Sequence, residues 1–146
     1  MHKLTYTRLA FDNDTDIPYL KNVYQSNYVS KYLSIADNYF NYVTNTNNVY
    51  FYKVYDSNTL IGTIHIEQQG QTLYFSLLVF TEFQRAGYGT EIVKNIKEDV
   101  FDLGYKSIEV SVNESNTASL KLFEKSGFTR TSAEGGLIDF VFRING

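Results

Sequence analysis

The sequence predicts a mixed α/β fold: a central sheet of about seven strands with helices on both faces. Three observations lead there. Seven short segments carry strand-like apolar patterning, bounded by turn residues. Their order is strand-rich at first and then runs β-α-β-α-β-β. An apolar strand around 72–80 leads through a short polar turn and two glycines into a segment with helical periodicity.

Taken in order, Lys3–Phe11 alternates through Leu4, Tyr6 and Leu9 and reads as a first strand. Asp12–Asp16 forms a turn rich in residues able to cap a helix. Pro18, the only proline, falls where a first helical turn tolerates it, and Ile17–Ser26 continues with helical spacing through Leu20, Val23 and Tyr24. Residues 27–47 are rich in Asn, Ser and Tyr, with a second short helix expected over Asp37–Thr44. Strands are expected over Val49–Tyr55 and Thr59–Glu67, joined by a turn at Asp56-Ser57-Asn58. A further turn around Gly70 leads to Thr72–Phe80, apolar enough for a central strand. Ile92, Val93, Ile96, Val100 and Phe101 repeat at helical spacing, so a helix is expected over Thr90–Asp102, ending near Gly104. Lys106–Val112 alternates as a strand. Ser115–Ser126 follows as a helix with Gly127 as its C-cap, and Phe128–Thr131 with Leu137–Ile144 closes the chain as a strand pair. No repeat and no linker divides the 146 residues, so a single domain spanning 1–146 is expected.

Composition narrows the function. Hydrophobic residues make up 43%, enough for a core, yet no apolar run approaches the ~20 residues that span a bilayer. No signal-peptide pattern opens the chain, and no membrane partner is expected. There is no Cys, hence no disulfide, thiolate metal site or thiol nucleophile. The chain is expected to be cytoplasmic and to need no metal. A net charge of −3 disfavours the broad basic surface that nucleic acid requires. The 13 Tyr and 11 Phe serve strands and core, with some available to line a pocket.

The chemistry concentrates at Gln84-Arg85-Ala86-Gly87-Tyr88-Gly89-Thr90. A glycine turn opening a helix is an anion site made of backbone. The first helical N–H groups lack internal partners, the dipole is positive there, and glycines allow close approach by phosphate oxygens. A P-loop would need Lys after its last glycine, and none follows Gly89. The dinucleotide fingerprint would need a third small residue, where Ile92 stands; Glu109 lies at about the distance of that motif's ribose-binding acid, but the third small residue is missing.

The pattern that fits is [Q/R]-x-x-G-x-[G/A]. A second motif follows in the right order: Asn116, then Leu122-Phe123-Glu124-Lys125-Ser126-Gly127-Phe128. Together, over about residues 59–128, they resemble the Gcn5-related N-acetyltransferases, the GNAT superfamily. The resemblance implies a mostly antiparallel sheet in which strands 72–80 and 106–112 form a splayed parallel pair. It implies acetyl-CoA as cosubstrate and an amine as acceptor, in a monomer or homodimer. On the matching positions, Leu77, Leu78 and Val79 would pair their backbone with the pantetheine arm and acyl carbonyl. Gln84 through Thr90 would hold the pyrophosphate, with Arg85 adding a guanidinium, and Asn116 would touch the pantetheine. Phe123 takes the place of a Tyr that many relatives use to protonate the leaving thiolate. The two positions at which relatives carry a Glu base are Leu73 and Ser111 here. No base carries over, so no catalytic residue is assigned; His65, Glu67 and Glu109 remain as candidates by residue type alone.

Three functions are open on these grounds. The first is an acyl-CoA-dependent N-acyltransferase using direct attack in a ternary complex. The second is an acyl-CoA-binding module without catalysis, and the third a dinucleotide-binding oxidoreductase fragment. Thiol release with an amine, binding without turnover, and NAD(H) binding would separate them. The acceptor, whether small molecule, peptide N-terminus or lysine, is not written in these motifs.

Overall fold

A computed structural model describes residues 2–144. Seven strands form one mixed sheet: β1 (Leu4–Arg8), β2 (Val49–Asp56), β3 (Thr59–Gln69), β4 (Thr72–Val79), β5 (Ser107–Asn113), β6 (Thr129–Glu134) and β7 (Leu137–Arg143). Their spatial order is β1-β2-β3-β4-β5-β7-β6. Five helices accompany them: α1 (Ile17–Gln25), α2 (Asn27–Ser30), α3 (Tyr39–Asn45), α4 (Tyr88–Lys97) and α5 (Thr117–Lys125). The expected mixed architecture and the parallel pair are both present. β1–β2, β5–β7 and β6–β7 run antiparallel, while β4 pairs β5 in parallel. That parallel register covers only Thr72–Tyr74 against Ser107–Glu109, although β4 runs on to Val79 and β5 to Asn113. Among the described residues, the β4-side pairing of β5 therefore ends at Glu109.

The backbone forms two compact units: residues up to His65 with Leu77–Phe83, and Ile66–Ser76 with residues from Gln84 onward. In the first unit, Ile17, Leu20 and Tyr24 present one face of α1, and Phe40 and Val43 one face of α3. They bury against Val49 and Phe51 of β2 and against Leu78 and Phe80. The alternation of β2 then places Lys53 inside, 7% exposed. Its ammonium donates to Asp14 at 3.0 Å and Asp16 at 2.9 Å. Burial alone would lower the Lys53 pKa; the bonds to Asp16 and Asp14 outweigh it and raise it. Asp16 occupies the N-cap position of α1, but its side chain makes no cap hydrogen bond and turns to Lys53 instead.

In the second unit, Ile108, Val110 and Val112 of β5 are buried, as are Ile138 and Phe140 of β7, Ile92, Val93 and Ile96 of α4, and Phe123 of α5. The alternate residues of β5, Glu109, Ser111 and Asn113, lie on the opposite, more open face.

Two expectations need correction. α4 stops at Lys97 rather than running to Asp102. Asp99 adopts a left-handed φ of 51°, and its carboxylate accepts hydrogen bonds from the backbone of Leu103 and Gly104, which favours a turn over further helix. The segment after α1 holds an additional single-turn helix, α2, that its polar composition concealed. Gly127, with φ 86°, lies one residue past the Ser126 C-cap of α5, in the conformation a helix terminus most readily gives to glycine.

Candidate functional site

In the second unit the 84–90 loop ends at Gly87, the N-cap of α4, with φ 85° and ψ 4°. A side chain is strained in that conformation, and Gly87 has none with which to cap the helix itself. The first helical donor is the Glu91 N–H, bonded to the Gly87 carbonyl at 3.2 Å. The helix therefore supplies no partner for the amides of Gly89 and Thr90 at its positive end. Arg85 also has a left-handed φ, 65°, so two of three consecutive residues bend the chain into the helix start. Gln84, Arg85, Ala86, Gly87 and Thr90 are exposed, and Tyr88 and Gly89 are half-buried. Gly89 has a packing reason as well: a Cβ there would meet Leu122 of α5 at 3.3 Å. The two glycines thus divide the work, one turning the loop and the other letting α5 approach α4.

Asn116 is the N-cap of α5, its Oδ1 accepting from the Ser119 N–H at 3.3 Å. This bond fixes its side chain at the head of the helix. Phe123, two turns on, is 3% exposed and ringed by Phe75, Phe128 and Phe140, with centroids 5.8, 5.3 and 5.9 Å away. The sequence motif placed this ring in the cofactor site. In the structure it is buried among three other aromatic rings.

In the first unit, Leu78 packs into the core while Leu77 and Val79 are half-buried. The Phe80 N–H donates to the Ile61 carbonyl at 2.9 Å, which aligns the end of β4 along β3. Gly62, which the sequence motifs did not single out, makes that approach possible: a Cβ there would lie 2.3 Å from the Leu78 carbonyl oxygen. An isolated glycine inside a strand pattern was the available signal.

Of the residues considered by chemical type, His65 has the most developed surroundings. Its Nδ1 lies 2.6 Å from the Tyr39 hydroxyl, and the Tyr39 ring packs on that of Tyr24. The Tyr24 hydroxyl shares a 2.7 Å hydrogen bond with Thr63, and burial pushes its pKa up to about 12. The result is a polar strip along β3, from buried Thr63 to half-buried His65. Glu67 and Glu109 are half-buried, in the second unit. Ser111 forms a further constellation. Its cross-strand partner in β7 is Asp139, whose two carboxylate oxygens accept from Ser111 and Ser132 at 2.5 and 2.7 Å. These hydrogen bonds, Ser111 first, hold the Asp139 pKa below its ordinary value. A single carboxylate inside the apolar run Leu137–Phe142 was the trace of it in the sequence. Among the described residues, no group of three metal-ligating side chains comes together, and no helix is long and apolar enough to cross a membrane.

A glycine-capped helix after an apolar strand, within this strand order, defines a mixed α/β protein with a backbone anion site at the head of α4. The sequence model of the acetyltransferase (GNAT) family matches residues 17–128, and the chain belongs to that family. Solved structures agree in fold. A domain from Methanocaldococcus jannaschii superposes with a TM-score of 0.81 at 17% identity, over 98% of this chain and 99% of that one. Spermidine N-acetyltransferase from Vibrio cholerae, solved with CoA and spermine, gives 0.81 at 16% identity over 97% and 95%. The Campylobacter jejuni N-acetyltransferase PseH, in complex with acetyl coenzyme A, gives 0.79 at 14% identity over 98% and 100%. No curated protein matches the sequence significantly.

Proposed function

We propose that this protein transfers an acyl group, most simply acetyl, from CoA to a primary amine. The observation that carries the reading is the 84–90 loop, with left-handed Gly87 heading α4 and the amides of Gly89 and Thr90 at its positive end. Those amides and the Arg85 guanidinium suit a pyrophosphate. Asn116 at the head of α5 and the backbone of Leu77, Leu78 and Val79 would bind the pantetheine arm and the acyl carbonyl. Two structural neighbours were solved with acetyl coenzyme A or with CoA, which supports the same cosubstrate here.

The chemistry would be direct. The neutral amine attacks the thioester carbonyl, the oxyanion forms beside the backbone N–H near Val79, and collapse expels the CoA thiolate. With no Cys in the chain, no cysteinyl acyl-enzyme can form, and direct attack with both substrates bound together is the simplest route. An amine that arrives as an ammonium gives one proton to solvent before attack, and the nitrogen of the tetrahedral intermediate gives a second proton to solvent or to the departing thiolate as the amide forms.

A second reading, an acyl-CoA-binding module without turnover, is favoured by one set of observations. Leu73, Ser111 and Phe123 hold the three positions at which acid–base side chains would be expected. A panel of primary amines with acetyl-CoA, followed by released thiol, separates the two readings. Thiol release that depends on amine supports transfer; CoA binding with no release from any amine supports the module.

A further inference from the structure

Four polar side chains of the first unit form one connected chain that the chemistry above leaves unused. One end is Thr63 of β3, with no exposed surface. Its hydroxyl shares a 2.7 Å hydrogen bond with Tyr24 of α1. Hydrogen bonding from Thr63 and from Tyr39 of α3 works against burial at the Tyr24 hydroxyl, so Tyr39 joins the chain there. The Tyr39 hydroxyl lies 2.6 Å from Nδ1 of half-buried His65, which returns the chain to β3. Ring packing fixes the middle: Tyr39 meets Tyr24 at 5.9 Å, Phe51 at 6.0 Å and the imidazole at 5.4 Å.

The Thr63 end sits beside the backbone proposed to hold the acyl carbonyl. Gly62 precedes Thr63 and fits closely there: a Cβ would lie 2.3 Å from the Leu78 oxygen and 3.3 Å from the Val79 Cα. One residue earlier, the Ile61 carbonyl accepts from the Phe80 N–H at 2.9 Å. A displacement of Thr63 is therefore passed through backbone contacts to Leu78, Val79 and Phe80.

Each hydroxyl has one hydrogen to give, so the chain runs in one of two directions. When neutral His65 accepts at Nδ1, Tyr39 donates to the ring, Tyr24 to Tyr39 and Thr63 to Tyr24. Every hydrogen then has an acceptor within the chain. When His65 is protonated, Nδ1–H becomes a donor and the order reverses. The Thr63 hydrogen loses its Tyr24 acceptor at a site with no exposed surface. Losing a partner in a dry interior is costly, and hydrogen bonds in a chain polarise one another, so the far end feels the change.

We propose that His65 is a positioning residue for acyl transfer: its neutral form sets the direction of the Tyr39–Tyr24–Thr63 chain and so holds β3 against the Leu78–Val79 backbone, and protonation releases that hold. This rests on the acyltransferase reading for the reaction, and on the chain alone for the coupling of His65 to the end of β4. The titratable groups facing the imidazole are Tyr39 and Tyr42 of α3, with rings at 5.4 and 6.4 Å. Tyr24 of α1 stands behind Tyr39, and β3 itself carries Glu67 two residues on. Phenols and carboxylates ordinarily titrate outside about pH 5–8, which leaves that interval to the imidazole.

The test joins an NMR titration of the full chain to kinetics. In the wild type, the Thr63 and Val79 amide signals should shift between about pH 5 and 8 with the midpoint of the His65 ring signals. Tyr39→Phe breaks the chain, so both amide shifts should vanish while the ring still titrates. With acetyl-CoA and a primary amine, thiol release should fall below that midpoint by about tenfold more than protonation of the amine explains, the factor for one lost buried hydrogen bond. His65→Asn keeps an acceptor oxygen near the Nδ1 position but takes up no proton; it should retain most of the rate and lose the extra fall. His65→Leu has no acceptor and should be slow at every pH by a similar factor. The chain's other imidazole, His2, lies 3.4 Å from Asp56, and His2→Gln should keep the extra fall. If His65→Asn does not fold, the amide titrations of wild type and Tyr39→Phe decide. Amide signals that ignore the ring midpoint, signals that still follow it in Tyr39→Phe, or an extra fall that persists in His65→Asn would overturn the proposal. Failure of the acyltransferase reading shows separately, as no thiol release from any amine at any pH while the amide shifts still support the coupling.

Discussion

Phe123→Tyr adds one oxygen at a position where the family motif expects a tyrosine, and the structure gives it a definite cost. The Phe123 ring is 3% exposed, with three phenylalanine rings at centroid distances of 5.3 to 5.9 Å. A hydroxyl directed into these rings would go without a hydrogen-bond partner, and leaving a buried polar group unsatisfied costs about 1–3 kcal/mol. At roughly 4 °C per kcal/mol for a chain of this size, the ligand-free protein should melt about 4–12 °C lower. The ring itself remains, so acetyl-CoA affinity should change little. Differential scanning calorimetry of both forms, with and without acetyl-CoA, reads both quantities, and thiol release reads the rate. A melting temperature within about 1 °C of wild type, together with faster turnover, would refute the packing argument: the hydroxyl would then lie in open space where it could protonate the leaving thiolate.

Three other outcomes follow from particular contacts. Gly62→Ala should destabilise by at least the ~1–3 kcal/mol typical of overpacking, because its Cβ would lie 2.3 Å from a backbone oxygen that no rotamer change can clear; urea unfolding measures it. Asn116→Ala removes the α5 cap and should cost about 1 kcal/mol by the same assay, with a parallel loss of acetyl-CoA affinity by calorimetry if the side chain also meets the pantetheine. The Lys53 cluster should shape stability at both ends of the pH scale. The Asp14 pKa is lowered on folding: burial pushes it up, but the Asp16 N–H and Lys53 outweigh that. Its contribution is present above its unfolded value, near 3.8, and is lost as pH falls through the lower folded value. The Lys53 pKa is raised, so its contribution is full below its unfolded value, near 10.5, and is lost as pH rises through the higher folded value. Lys53→Met should flatten both limbs of the stability-against-pH curve; unchanged limbs would mean that the ion pairs do not persist in solution.

Much of this was legible in the sequence because the signals are local. Periodicity located all seven strands and the longer helices, and the two glycines with Asn116 marked the helix starts. What escaped depends on tertiary pairing. The end of α4 is set by Asp99 capturing two backbone amides downstream, so the apolar spacing of Val100 and Phe101 misled. The core position of Phe123 follows from rings contributed by β4, β7 and Phe128, which the helical motif alone cannot reveal. The Ser111–Asp139 pair is formed across a β5–β7 register between residues 28 apart in the chain. Gly62 matters through a backbone atom of another strand, and only its isolation within an apolar run hinted at that.

The central claim is that the 84–90 loop binds the CoA pyrophosphate and that this binding serves transfer to an amine. It is tested most directly by one comparison: amine-dependent thiol release and the acetyl-CoA-induced shift in melting, measured in wild type and in Gly87→Glu. A ligand that binds only the folded state stabilises it by roughly 2.7 kcal/mol at ~100 times its dissociation constant, so the wild type should show a shift of about 10 °C together with turnover. Gly87→Glu places a side chain and a negative charge where φ is 85° and the pyrophosphate is expected, and it should lose both. A normal shift and normal turnover in that variant would remove the loop from the site and contradict the account.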